Sequence, residues 1–306
     1  MNTDVLTCVM TMLIYMILGY ILCKSKKGSA LHIKTVSGLL IYILNPAMIL
    51  NAFLKTEYTP ETAINILKFF VVTFILQFLF FALLYLLLHK KFENAAYRLM
   101  SIGASFGNVG FLGLPLVTSF FPDKPIVACY STVYVLSMNL LVFTVGIFMI
   151  TNDRKFMSLK SAIVNPTSLS IFVALPLFLF RVELPAIIGN PIDLLAKMVT
   201  PMCMIMLGMR LSTVKLIKLF TRPFVYATCA LKLIAYPLFA YACVYFLPFL
   251  DDSFKISILI LSSVPTGAVI SSLSELHECE QEFSANIVLL TTILSNLTIP
   301  LVLLIA

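Results

Sequence analysis

The feature that most constrains this chain is a succession of apolar runs, each long enough to cross a bilayer, with little polar sequence between them. A hydrocarbon core about 30 Å thick takes about 20 apolar residues as a helix. Such runs lie near residues 4–23, 33–54, 66–88, 97–121, 126–150, 164–181, 191–209, 223–246, 254–275 and 283–305, so ten spanning helices are expected. Only 11% of residues are charged, against about 25% in soluble domains, which excludes a water-soluble enzyme. The predicted class is an all-α polytopic protein of the plasma membrane, with the lipid bilayer as its solvent. The first run, Val5 to Cys23, is followed rather than preceded by Lys24, Lys26 and Lys27. That is the wrong polarity for a cleaved signal, so it reads as a permanent span.

The net charge of +7 is spread over short loops and serves topology, so no nucleic-acid partner is expected. Odd-numbered connections carry Lys24, Lys26, Lys27, Lys34, Lys90, Lys91, Arg98, Arg154, Lys155, Lys160, Arg210, Lys215, Lys218 and Arg222. Even-numbered ones carry Lys55, Lys68, Lys124, Arg181 and Lys255. The positive-inside rule puts the odd loops in the cytoplasm and both termini outside. The ninth loop, with Glu275, Glu278, Glu280 and Glu282, does not overturn this, because acidic residues weigh little in the rule.

Ten spans divide into two sets of five, and an odd number per half makes the second copy upside down relative to the first. Residues 1–150 form the first predicted repeat, 151–165 a short cytoplasmic linker and 166–306 the inverted second repeat. Span 2 (LLIYILNPAMIL) and span 7 (LLAKMVTPMCMIML) align Pro46 with Pro201, a pair expected to act as hinge or scaffold positions. Span 5 (VLSMNLLVF) and span 10 (ILSNLTIPL) align Asn139 with Asn296 across a one-residue gap, and spans 4 and 9 each carry a glycine and proline interruption. Paired interruptions in corresponding spans point to a transporter's binding site.

Four of the eleven glycines, Gly103, Gly107, Gly110 and Gly113, crowd into span 4 immediately before Pro115. Glycine is a poor helix former and proline removes an amide donor, so the helix is expected to open there. Pro265, Thr266 and Gly267 repeat the disruption in span 9, among Ser262, Ser263, Ser271 and Ser272. Small residues also serve close helix packing, but two matched interruptions favour a crossing. Unwound backbone is tolerated at membrane depth only where protein or a wet cavity satisfies it. Half-helices starting near Pro115 and Pro265 would aim free amides at the membrane centre and favour an anion there. Half-helix carboxyl ends would instead offer carbonyls to a cation such as sodium.

Asn108 lies inside the span 4 interruption, where it either ties the broken backbone or contacts a ligand. Asn139 and Asn296 are candidate ligand contacts or interhelical glue. Lys232 in span 8 has no obvious acidic partner: an intramembrane cation is a candidate substrate contact, or, nine residues from Pro223, its stem bends toward the cytoplasmic interface. Lys197 follows Asp193 by four residues, the spacing of a helical ion pair. Met198, Met202, Met204, Met206 and Met209 read as packing. The seven cysteines show no CxxC spacing and are expected as reduced thiols. All three histidines fall in loops, no HExxH occurs and no acid sits securely mid-span, which removes intramembrane protease constellations.

At these residues the sequence resembles the auxin efflux carrier family, which includes plant PIN transporters and bacterial malate and malonate permeases. The resemblance rests on Gly107, Asn108, Gly113, Leu114 and Pro115 in a GN-x4-GLP pattern, on the NPTSLS run at Asn165 and Pro166, and on the proline-interrupted span 9. It covers nearly the whole chain. The short central loop, about Thr151 to Ile163, fits the compact bacterial form. The resemblance implies a fold like that of bile acid and sodium/proton antiporter proteins, with spans 4 and 9 crossing in a transport domain of spans 3–5 and 8–10. Spans 1, 2, 6 and 7 would form a scaffold, often dimeric, and the substrate would be an organic anion. Span 9 lacks the acidic group of sodium-coupled bile acid relatives.

The expectation is a secondary transporter of a small organic anion, a mono- or dicarboxylate such as malate. Asn108, Gly110, Gly113, Pro115, Pro265, Thr266, Gly267, Asn139 and Asn296 are the substrate-site candidates, with amides near Gly110 and Thr266 reaching the carboxylate. A coupling proton or sodium ion is compatible with this reading. No metal ligand set is assigned, no cofactor is expected and no enzymatic activity is inferred. The rival is a membrane sensor or regulatory binding protein built on a transporter scaffold.

Overall fold

The computed structural model describes residues 2–121, 123–213 and 223–304, so Lys215, Lys218 and Arg222 of the loop cations lie outside the described residues. In chain order the helices are α1 (Asn2–Lys24), α2 (Ala30–Leu39), α3 (Asn45–Lys55), α4 (Pro60–Leu88), α5 (Ala95–Ser105), α6 (Leu114–Phe120), α7 (Ile126–Leu141) and α8 (Ile147–Thr151). They continue as α9 (Leu159–Ile163), α10 (Pro166–Leu179), α11 (Ala186–Thr213), α12 (Pro223–Ala230), α13 (Tyr236–Tyr245), α14 (Asp252–Ser263), α15 (Ala268–Leu276) and α16 (Gln281–Leu303). Among the described residues there is no strand beyond one isolated bridge.

Among the described residues seven helices are long and apolar enough to cross a membrane: Leu31–Lys55, Pro60–Lys91, Ile126–Thr151, Arg154–Leu179, Ala186–Ser212, Pro223–Tyr245 and Gln281–Leu303. These coincide with seven of the ten expected spans. Spans 4 and 9 drop from that set because each is cut in two, and the first span is the 23-residue α1. The architecture is an all-helical, multi-pass membrane protein.

Several helices pass through wide π turns rather than running straight. Such turns occupy Leu40–Leu44, Val109–Gly113, Val142–Gly146 and Leu231–Ala235. Val142–Gly146 has no proline after it, but beyond the other three a proline stands two positions on: Pro46, Pro115 and Pro237. Proline has no amide to donate and its ring collides with the carbonyl four residues back. A widened turn absorbs both defects without ending the helix. Pro201 differs from its aligned partner Pro46 in lying inside the continuous α11. Elsewhere the ends are set by caps: Asn165 accepts from Ser168 N–H (3.0 Å) ahead of Pro166, and Asp251 from Phe254 N–H (2.7 Å).

The chain folds into two compact units that interleave in sequence: Met1–Leu67 with Gly110–Thr132 and Val164–Lys215, and Lys68–Val109 with Val133–Ile163 and Leu216–Ala306. In the first unit α1 lies along α11, and α3 packs on α10 and α11. A Cβ on Gly19 would lie 2.0 Å from Ile205 O, and one on Gly208 1.8 Å from Met16 O, so only hydrogen atoms separate the two backbones there. Phe178 receives the ring edges of Phe53 and Tyr58 at centroid distances of 5.8 and 5.3 Å. Met204, Met206 and Met209 are buried, consistent with packing, whereas Met198 is exposed.

In the second unit α5 packs on α12 and α16, and α13 on α14. Gln77 Nε2 donates to Ser137 Oγ (2.7 Å), and Phe69 meets Phe254 edge-on at 4.7 Å. Arg98, counted above with the loop cations, is buried. Its guanidinium donates to the carbonyls of Met149 (2.8 Å), Glu93 (3.3 Å) and Phe92.

Candidate functional site

Both expected interruptions are present, and within the second unit they are each other's partners. α5 stops at Ser105, and Phe106 takes extended angles (φ −110°, ψ 126°). α14 stops at Ser263, and Val264 and Gly267 are extended (ψ 152° and 131°) before α15 begins at Ala268. Gly107 and Thr266 then face one another as an antiparallel bridge. Asn108 N–H donates to Pro265 O (2.7 Å), and Gly267 N–H to Phe106 O (3.1 Å). Each break thereby satisfies backbone groups that the other freed, one of the ways in which non-helical backbone is tolerated at membrane depth.

Side chains complete the junction. Thr266 Oγ1 donates to Gly103 O (2.8 Å), a carbonyl in the last turn of α5, and Thr266 N–H donates to Thr291 Oγ1 (3.1 Å). The Thr266 amide, expected from sequence to be free for a carboxylate, is therefore already engaged. Pro265 lies in the extended link rather than in the first turn of α15, and Pro115 follows the wide turn within a helix that already begins at Val109, so neither proline opens its half-helix. Gly110 and Gly113 belong to the wide turn before α6, and Gly113 is buried.

Lys232 does not bend toward the interface. It is fully buried, and its Nζ donates to Ser262 O (3.1 Å) and stands 4.5 Å from the centroid of the Tyr236 ring. A Cβ on Gly107 would lie 3.1 Å from that nitrogen, so the amine rests against the crossing itself. The residue sits in the wide turn Leu231–Ala235, and that geometry, enforced by Pro237, sets its direction instead of the distance to the helix end. Tyr236 OH in turn shares a 2.7 Å hydrogen bond with Tyr134 OH. No acidic side chain pairs with Lys232 among the described residues.

Asn108 is 5% exposed, and its side-chain amide has no hydrogen-bond partner among the described residues, although its backbone closes the crossing. Asn139 is also buried. Asn296 spends its amide on its own helix, donating to Thr292 O (3.0 Å) and Ile293 O (3.1 Å). The crossing thus gathers Asn108, Pro265, Thr266, Gly267 and Lys232, and it does not engage the Asn296 amide. Among the described residues no group of three or more His, Cys, Asp or Glu could hold a metal ion.

The first unit holds a separate cavity of about 400 Å³ with a largely apolar lining, into which Asn51, Lys55, Lys124, Asp193 and Lys197 bring polar groups beside Pro115. Lys197 pairs with Asp193 at 2.6 Å with the spacing expected. Lys55 joins from α3, and Asn51 Nδ2 donates to the same carboxylate (3.3 Å). A carboxylate held by two lysines and an amide shows what this cavity's side chains can grip.

A family model described as "Membrane transport protein" matches residues 4–155 and again residues 153–303. The chain belongs to this membrane transport, or auxin efflux carrier, family. No curated protein matches the sequence. Membership makes this membrane transport protein a carrier of some small substrate rather than a member of an enzyme family, in agreement with its apolar helices.

Proposed function

We propose that this protein is a secondary transporter of a small organic anion, a carboxylate such as malate, working by alternating access about the crossing of spans 4 and 9. The observation that carries the reading is the buried Lys232 amine, unopposed by any acid, beside a broken backbone and an unpartnered Asn108 side chain. An uncompensated cation is expensive in the membrane interior. A carboxylate arriving at Asn108 would offset that cost, and the first turn of α15 adds amides that lack intrahelical acceptors. Gly110, Gly113, Pro115 and Asn139 remain candidate substrate contacts in this reading. In this reading ten spans form two inverted repeats, both termini face outward and the protein resides in the plasma membrane as a scaffold-linked homodimer. Spans 1, 2, 6 and 7 are the scaffold in this reading.

The test is counterflow of labelled malate and related carboxylates in proteoliposomes, beside thermal stability of the purified protein. A ligand at 100 times its Kd adds about 2.7 kcal/mol to the folded state. Asn108→Ala is expected to lose most counterflow while still inserting and folding. Wild-type counterflow in that variant would remove Asn108 from the site, and stabilisation by a carboxylate without any flux would favour the sensor.

A further inference from the structure

The Lys232 amine has the surroundings of a bound cation. Its hydrogen-bond acceptor, Ser262 O, belongs to the last turn of α14. The final carbonyls of a helix lack intrahelical partners and form the negative end of its dipole. Broken transporter helices use such ends to coordinate coupling cations. An aromatic face completes the shell, with the Tyr236 ring centroid 4.5 Å from Nζ, the arrangement that attracts ammonium ions. No carboxylate stands in this shell among the described residues, so the cation meets dipoles and a ring rather than a counter-charge.

We infer that the Lys232 ammonium is a tethered cation occupying the carbonyl end of the broken α14, in the place where a free coupling ion would otherwise bind. The protein therefore carries its own cationic group at this place, and transport runs without sodium. This rests on the crossing being the transport site, and it assigns the site a tethered amine in place of an exchangeable ion. The close approach to Gly107 gives that charge an immediate effect: it abuts the backbone on which Asn108 is mounted.

Two measurements decide it. In proteoliposomes, wild-type uptake of labelled malate is expected to be equal, within twofold, in sodium chloride and choline chloride of the same strength. Uptake more than fivefold higher in sodium would overturn the inference, and this arm needs no variant. In Lys232→Ala the stem and ammonium leave a cavity at the carbonyl end. Its thermal midpoint is expected to fall, and methylammonium or sodium, but not choline, should raise it again by several degrees. Absence of cation-specific recovery overturns the proposal, as does a Lys232→Met protein with wild-type midpoint and uptake, since that variant keeps the volume and removes the charge. The midpoint arm requires no substrate, so a failure of malate uptake would count against the carrier reading while leaving the tethered cation to be judged by cation recovery.

Discussion

Gly107→Ala tests whether the crossing is as tight as it is drawn. A Cβ there would lie 2.8 Å from Val264 Cγ2, 3.1 Å from Lys232 Nζ and 3.4 Å from Lys232 Cε. Carbon atoms pack best at about 3.5–4.0 Å, so Val264 must retreat by about 0.7 Å. It has little freedom to do so, being β-branched and fully buried. The glycine cannot retreat either, because Asn108 N–H and Phe106 O on its two sides are bonded to Pro265 and Gly267. No described glycine has positive φ, so the penalty is steric rather than dihedral. Overpacking of this kind costs about 1–3 kcal/mol. One kcal/mol moves the midpoint of a domain of 150–250 residues by about 2–4 °C, so a fall of about 2–12 °C is expected. Gly38→Ala is the matched control: it lies in α2 with nothing within 4 Å of its new Cβ. Relief of glycine's backbone entropy should stabilise it by about 0.5–1 kcal/mol. The sequence has no tryptophan, so the natural assay is circular dichroism at the helical band on heating in detergent. A Gly107→Ala midpoint equal to or above wild type would refute the claimed closeness.

Gly208→Ala should be the more damaging change, since its Cβ would meet backbone, Met16 O at 1.8 Å and Tyr20 N at 2.9 Å. A loss above about 3 kcal/mol is expected, and a wild-type midpoint by the same assay would contradict the α1–α11 contact. For topology, a protein retaining only Cys279 should react with a membrane-impermeant maleimide from the cytoplasmic face if both termini lie outside. Burial raises the pKa of this thiol, and the thiolate is the reacting form. Labelling should therefore quicken as pH rises from 7 to 9, and modification only from the outer face would reverse the orientation.

The two interruptions were legible because glycine and proline act locally: Gly107 with Pro115, and Pro265 with Gly267, disfavour a helix whatever surrounds them. How the freed groups are satisfied was not legible. The link between Thr266 Oγ1 and Gly103 O joins positions 163 apart, and no local pattern encodes such a pairing. For that reason the Thr266 amide was expected free when Thr291 already takes it. Lys232 was misjudged because its distance from the helix end suggested an escape to the interface, whereas the π turn before Pro237 decides its direction. In a helix apolar on both its lipid side and its protein side, the sequence does not mark which is which. Gly19 and Gly208 did leave a signal, each a lone glycine amid long apolar residues. Lys55, which shares Asp193 with Lys197, left none, since it comes from another helix.

The reciprocal bonding of Phe106–Asn108 with Pro265–Gly267 has a consequence for biogenesis. When the ribosome has delivered the first interruption to the translocon, the strand-like segment that completes it has not yet been synthesised. Its polar backbone must wait, in water or beside the insertion machinery, until the penultimate hydrophobic segment emerges. The assembly step that seals the core is then a late one, and a nascent chain stalled or truncated ahead of Pro265 would hold an open junction that quality-control proteases can recognise.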